Sequence, residues 1–190
     1  METIDFGPTT EQLARLVKGV RDEQLPDPTP CPDWAVSDLL GHIAGLTVEF
    51  TSSASKEPTP ARAGAGLTGD WRERVGDDLA ALAQAWRQPE AYTGETHAGP
   101  VTLPGHTAGM VALNEVTVHA WDLARATGQR YDADPAAVAG ATEFVRTFDA
   151  PADDDGGLFG PPLDVSGDAS DLDRLVGLTG RDHHWTPASV

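Results

Sequence analysis

NEVTVHAWD, residues 114–122, is the stretch of the sequence that decides the fold. It reads as part of a helix, which places Glu115 and His119 one turn apart on one face. Residues four apart on a helix have Cβ atoms about 5–6 Å apart, so this carboxylate and imidazole can hold one metal ion between them. Asp122 follows three residues later on the same face. Because unpaired polar groups are costly to bury, three of them on the inward side of an apolar helix predict a site.

Helical periodicity extends outward from this stretch over most of the chain. It predicts a first helix between Thr10 and Pro26, and helices over residues 36–53, 68–88, 107–128, 135–148 and 171–179. The helix at 107–128 is apolar most of the way round, which predicts a central position in a bundle, and Gly128 is expected to end it. No segment alternates clearly like a strand, and the linker 89–105 is expected to hold a short hairpin or to lie over a site. The 190 residues therefore predict one all-α domain spanning 1–190.

The charge balance is strongly acidic, with 13 basic against 30 acidic residues and a net charge of −17. Nucleic acids and anionic membranes bind clustered Lys and Arg, so neither is expected as a partner. The chain has one cysteine, no basic and apolar leader, and no apolar run near the roughly 20 residues of a membrane span. A cytoplasmic location is therefore expected.

His42 is the predicted third ligand. It lies between Leu39 and Leu46 on the apolar stripe of the second helix, which an antiparallel bundle can bring opposite Glu115 and His119. Two imidazoles and one carboxylate leave positions open for water or substrate and suit zinc best, with nickel, iron or manganese as alternatives. The plain alternative is a helix salt bridge between residues four apart, with no metal.

Asp122 is expected to act on the same site without binding the ion. A carboxylate there can accept the free ring N–H of His119 or His42 and so fix that ring.

Three parts of the sequence resemble one known family. Residues 115–128 (EVTVHAWDLARATG) look like the signature of the DinB-like metal-binding bundles, most of all the actinobacterial branch of the mycothiol-dependent maleylpyruvate isomerase N-terminal domain. Residues 29–34 (TPCPDW), followed by 39–42 (LLGH), are similar to the start of that family's second helix. Residues 159–162 (FGPP) and 180–182 (GRD) resemble a short-chain subgroup of metal-binding proteins of this type.

The resemblance implies a DinB-like four-helix bundle with an extra C-terminal helix or two. The family's divalent metal, usually zinc, is held by a His…Glu-x-x-x-His set that corresponds here to His42, Glu115 and His119. Its characterised members are isomerases and S-transferases that use mycothiol or a similar small thiol, which implies a small thiol and an electrophilic substrate as partners.

Function is less determined than fold, because one fold hosts many activities. The resemblance implies a mycothiol-dependent transferase or isomerase in which the metal activates the thiol. A non-catalytic metal- or ligand-binding sensor or stress-response protein and a metal-dependent hydrolase are the alternatives, and both a monomer and a homodimer are compatible with the sequence.

Three further residues have an interpretation apart from the ligand set. Cys31 precedes a helix N-terminus and is interpreted as a small buried residue, with a nucleophile as the alternative. His106 is interpreted as a surface residue or one at the mouth of the site, and His97 could lie on a lid.

Overall fold

The computed structural model describes residues 3–60, 63, 66–147 and 159–187. Within them the protein is mostly helical. The α-helices are α1 (Gly7–Gly19), α2 (Val36–Ser55), α3 (Trp71–Ala85), α4 (Gly105–Thr127), α5 (Pro135–Val145) and α6 (Asp171–Leu178). The predicted helices are all present, with ends shifted by a few residues; Phe148, the predicted end of the fifth, lies outside the described residues.

The first four helices close on one another in a ring. α1 packs against α3 and α4, and α2 packs against the same two helices. Leucines from each helix are fully buried between them, among them Leu13, Leu39, Leu79 and Leu123. α5 packs against α4, and α6 packs against α5. The predicted class, an all-α protein with extra helices after the fourth, is confirmed.

α4 occupies the central position that its sequence predicts. Its 23 residues span about 35 Å, and side chains around most of its circumference are buried. It begins at Gly105, where a Cβ would overlap the carbonyl oxygen of Ala91. It ends at Gly128, whose φ of 67° lets its N–H bond back to the last turn of the helix, as predicted.

A two-stranded hairpin fills the linker between α3 and α4. β1 (Glu95–Ala98) and β2 (Val101–Pro104) pair antiparallel, from Glu95 opposite Pro104 to Ala98 opposite Val101. The hairpin alternative for residues 89–105 is therefore confirmed. Each strand has four residues, too few to give a clear alternating pattern in the sequence.

The segment 159–187 folds back toward α4. Gly180 has a φ of 81° and approaches Gly160 so closely that a Cβ would lie 2.8 Å from the Gly160 Cα. The backbone N–H of Arg181 then bonds to the carbonyl of Val176, which directs the Arg181 side chain toward α4. None of the helices in the described residues is long and apolar enough to cross a membrane.

Candidate metal centre

The candidate metal centre lies where α2 faces α4. His42 is carried on the side of α2 that contains the fully buried Leu39 and Ile43. Glu115 and His119 project from α4 one turn apart. Because α2 and α4 pack directly against each other, the three side chains named from the sequence meet in space.

Their nitrogen and oxygen atoms converge. Oε2 of Glu115 lies 3.2 Å from Nε2 of His42 and 3.1 Å from Nε2 of His119. Two atoms that each lie about 2.0–2.1 Å from a tetrahedral zinc ion are about 3.3 Å apart, so both separations match an edge of such a site. The His42 side chain is 36% exposed and that of Glu115 is 19% exposed, so a small molecule can reach the cluster. This donor set therefore fits a divalent ion with open positions.

Asp122 orients His119. Its Oδ2 lies 2.9 Å from Nδ1 of His119, and the carboxylate is fully buried. An ionised carboxylate only accepts hydrogen bonds, so Nδ1 carries the proton and Nε2 is the nitrogen turned to Glu115. The sequence predicts that Asp122 accepts a hydrogen bond from His119 or His42, and in the structure its partner of these two is His119.

Hydrogen bonds and charges within the cluster shift the pKa values of Glu115 and His119. Burial alone would raise the pKa of Glu115, but hydrogen bonds from His119 and His42 hold it well below its ordinary value. Burial would lower the pKa of His119, but hydrogen bonds with Asp122, Cys31 and Glu115 hold it well above its ordinary value. The cluster therefore stabilises charged groups despite their burial.

Arg181 forms an ion pair with Asp122, the residue that orients His119. Its guanidinium binds both carboxylate oxygens of Asp122, with Nε 3.2 Å from Oδ1 and Nη2 3.0 Å from Oδ2. Burial would raise the pKa of Asp122, but the charge of Arg181 and the hydrogen bond with His119 hold it low. Such a two-point pair is the strongest geometry for an arginine and a carboxylate.

Cys31 lies against the same group. Its thiol donates a hydrogen bond to Asp122 Oδ2 at 3.2 Å, and Arg181 Nη2 lies 3.6 Å from its sulfur. Cys31, His119 and Asp122 are close enough to hold an ion of their own, but the Arg181 cation already pairs with this carboxylate. Cys31 is 8% exposed, in keeping with its interpretation as a small buried residue.

A cavity of about 640 Å³ opens onto the cluster. Trp34 forms one wall, with its ring centroid 5.0 Å from that of His42 and 6.2 Å from that of His119. The segment 159–187 also lines the cavity, with Phe159, Pro161 and Arg181 among its residues there. This volume is in the range of sites for small organic molecules.

The other histidines lie elsewhere. His97 is exposed on β1, where its Nδ1 lies 3.1 Å from the Thr102 hydroxyl. His106 is exposed at the start of α4 and lines a separate cavity beside Phe144. Neither lines the cavity at the cluster, and His106 is exposed, as its interpretation as a surface residue predicts.

Sequence reasoning missed three contributors to the site. Trp34, Arg181 and Asn114 enter the sequence analysis only as letters of longer runs, with no role of their own. For Asn114 a signal existed, because it precedes Glu115 on the same helix and lies one turn before Val118. For Arg181 no spacing in the sequence indicates that it pairs with Asp122.

Fold and site together define a helical protein with a candidate three-residue metal centre at the wall of a cavity. The chain belongs to the mycothiol maleylpyruvate isomerase N-terminal domain family, whose family model matches residues 6–124. The predicted family is thereby confirmed. The residues beyond 124, which supply Phe159 and Arg181, lie outside the matched region.

Relatives and solved structures agree with this membership. Uncharacterized proteins from two strains of Mycobacterium tuberculosis are 34% identical to this chain over 128 residues. The alignment covers 66% of this chain and 66% of each relative, so the chain spans just under two thirds of their length. The fold is similar to the crystal structure of the mycothiol-dependent maleylpyruvate isomerase, with a TM-score of 0.55 and 19% identity over 74% of this chain and 66% of that one. A histidine-to-alanine mutant of that enzyme has a TM-score of 0.51 and 18% identity over the same shares.

Proposed function

We propose that this protein binds one divalent metal ion, zinc before nickel, iron or manganese, through His42, Glu115 and His119. We further propose that it is a transferase or isomerase that uses a low-molecular-weight thiol, with mycothiol as that thiol. The observation that carries the proposal is the convergence of two imidazole nitrogens and one carboxylate oxygen at the wall of an open cavity. Family membership supports the choice of mycothiol.

The ligand atoms would be Nε2 of His42, Oε2 of Glu115 and Nε2 of His119. A divalent ion held there supplies a Lewis acid that lowers the pKa of a thiol and so provides a thiolate near neutral pH. Asp122 keeps the His119 ring in the required tautomer through the bond to Nδ1. Arg181 in turn holds Asp122 ionised and in place.

The cavity walls determine what can accompany the thiol. Trp34 and Phe159 present aromatic surface, and Pro161 adds aliphatic surface, so water is partly excluded from the space next to the ligands. A small electrophile with an apolar body fits this lining. Because the segment 159–187 completes the cavity and packs through α6 on α5, we propose that residues 1–190 form one functional domain.

Turnover tests this proposal. Zinc-loaded protein mixed with mycothiol and a panel of epoxides and halogenated electrophiles should consume thiol about tenfold faster, or more, than His42→Ala, because loss of a ligand removes the Lewis acid. Free thiol is followed over time with a thiol-reactive dye.

His97→Ala is the matched control, since it removes an exposed histidine that does not line the cavity, and it should match the wild type. Equal thiol consumption by the wild type and His42→Ala would contradict the proposed transferase, the activity of the two that consumes its thiol. Turnover that needs zinc but no thiol would indicate a metal-dependent hydrolase. Bound zinc with no turnover would indicate a non-catalytic metal-binding protein.

A further inference from the structure

The two proposed histidine ligands are held in different ways. Nδ1 of His119 lies 2.9 Å from the buried carboxylate of Asp122, which fixes its ring. Within the described residues His42 has no such partner, because its one hydrogen bond joins Nε2 to Glu115. Histidines that bind metals almost always have the second ring nitrogen paired as well. Water can pair with Nδ1 of this partly exposed ring, but a mobile solvent molecule does not fix its rotation.

Trp34 makes the contact that the His42 ring otherwise lacks. The two ring centroids are 5.0 Å apart, with an interplanar angle of 58°. The same indole lies 6.2 Å from the ring of His119, and the two imidazoles are 4.8 Å apart in a T-shaped pair. All three separations fall in the range of about 4.5–7 Å in which aromatic pairs are favourable. Trp34 is thus the third ring of a cluster whose other two rings are proposed ligands.

The loop before α2 holds Trp34 in place. The N–H of Trp34 donates to the carbonyl of Cys31 at 3.2 Å, and Asp33 between them turns the chain with a φ of 63°. The carbonyl of Trp34 accepts two hydrogen bonds from Thr29, one from its N–H at 3.1 Å and one from its hydroxyl at 3.0 Å. The prolines on either side of Cys31 fix two more backbone φ angles. The indole is therefore a fixed surface against which the His42 ring packs.

We propose that Trp34 is the positioning residue of His42, as Asp122 is of His119, and that its indole orients the His42 ring for metal binding by packing. This inference rests on the proposed function, because it assumes that His42 binds a metal. A ring that is already oriented loses less conformational freedom when the ion binds. Trp34 then raises the metal affinity and fixes the geometry of the site without binding the ion.

Zinc affinity tests the proposal through substitutions that remove or keep an aromatic ring. Trp34→Ala should lower the affinity about tenfold, at the low end of the range of about 10–100-fold for residues that orient metal ligands. Trp34→Phe keeps a flat ring on the same loop and should stay within about threefold of the wild type. Trp34→Leu, which is apolar but not aromatic, repeats the test if the alanine variant does not fold. Competition with a chromophoric chelator gives each affinity.

Bound cobalt provides a readout that a purely structural role would not change. The visible absorption of Co²⁺ depends on the arrangement of its ligands, so a His42 ring released in Trp34→Ala should alter the bands, and Trp34→Phe should restore them. Trp185→Ala is the matched control, because Trp185 is also partly buried against the same core but does not line the cavity. It should match the wild type in zinc affinity and in cobalt spectrum.

The outcomes separate this inference from the proposed function. An unchanged zinc affinity or an unchanged cobalt spectrum in Trp34→Ala would overturn the inference. An equal loss of affinity in Trp185→Ala, or in Trp34→Phe, would also overturn it, since the aromatic contact with His42 would then not be the cause. In each of these cases zinc binding by the wild type would still uphold the proposed metal site. No binding of zinc or cobalt by the wild type would overturn both.

Discussion

Replacing His119 by alanine is expected to lower the affinity of the protein for zinc by more than about 100-fold. The substitution removes the Nε2 ligand that lies 3.1 Å from Glu115 Oε2. Loss of a residue that merely orients a ligand costs about 10–100-fold in metal affinity, so loss of a ligand itself should exceed that range. Titration of metal-free protein against a chromophoric zinc chelator measures both affinities.

His106→Ala is the control for this substitution. His106 lies on the same helix but is exposed and lines a different cavity, so its loss should leave the zinc affinity unchanged within about twofold. Circular dichroism of each variant checks that the helix content of the protein is unchanged. Equal zinc affinity in His119→Ala and the wild type would exclude His119 as a ligand.

Replacing Asp122 by alanine is expected to lower the free energy of unfolding by about 3–5 kcal/mol, the cost of breaking a buried ion pair from one side. Asp122 is fully buried and the Arg181 side chain is 15% exposed, so the guanidinium would lose its counter-ion with little solvent to replace it. His119 and Cys31 would lose the same acceptor. Urea unfolding of metal-free protein measures the change without a contribution from metal binding.

Two comparisons sharpen this measurement. Asp132→Ala breaks the exposed pair with Arg130 and should change the free energy of unfolding by less than about 0.5 kcal/mol. The double substitution Asp122→Leu with Arg181→Met removes both charges and should be less destabilising than Asp122→Ala alone. If Asp122→Ala costs less than about 1 kcal/mol, the buried pair does not hold the C-terminal segment on α4.

The parts of the site that the sequence predicts are those set by helical periodicity. Glu115 and His119 share a face because they are four residues apart, and His42 is turned inward because Leu39 and Leu46 flank it at helical spacing. The apolar stripes of α2 and α4 predict that each packs against a neighbouring helix, and an antiparallel bundle can make them neighbours of each other. The central position of α4 came from its nearly continuous apolar surface in the same way.

The parts that the sequence does not predict depend on the path of the chain between helices. Arg181 is 59 residues from Asp122, and the contact exists because the turn at Gly180 and its approach to Gly160 direct that arginine back to α4. Trp34 reaches the histidines because the loop before α2 carries it there. No local pattern encodes contacts of this kind, since they depend on how loops and helices stack.

The C-terminal segment adds cavity-lining residues that lie outside the region matched by the family model. The family match covers residues 6–124, which contain the three proposed ligands and Asp122. Phe159 and Arg181 follow it and complete the cavity. We therefore expect differences among relatives in this segment to change which molecules the cavity accepts, while the ligand set stays with the helices.

Metal analysis of the protein purified without a nickel column, by mass spectrometry of the dissolved sample, is the most direct test of the three-ligand site. A tetrahedral site with three protein ligands predicts about one zinc ion per chain in the wild type and close to none in Glu115→Ala. The absence of a bound ion in wild-type protein, even after dialysis against zinc and removal of the excess, would contradict the site.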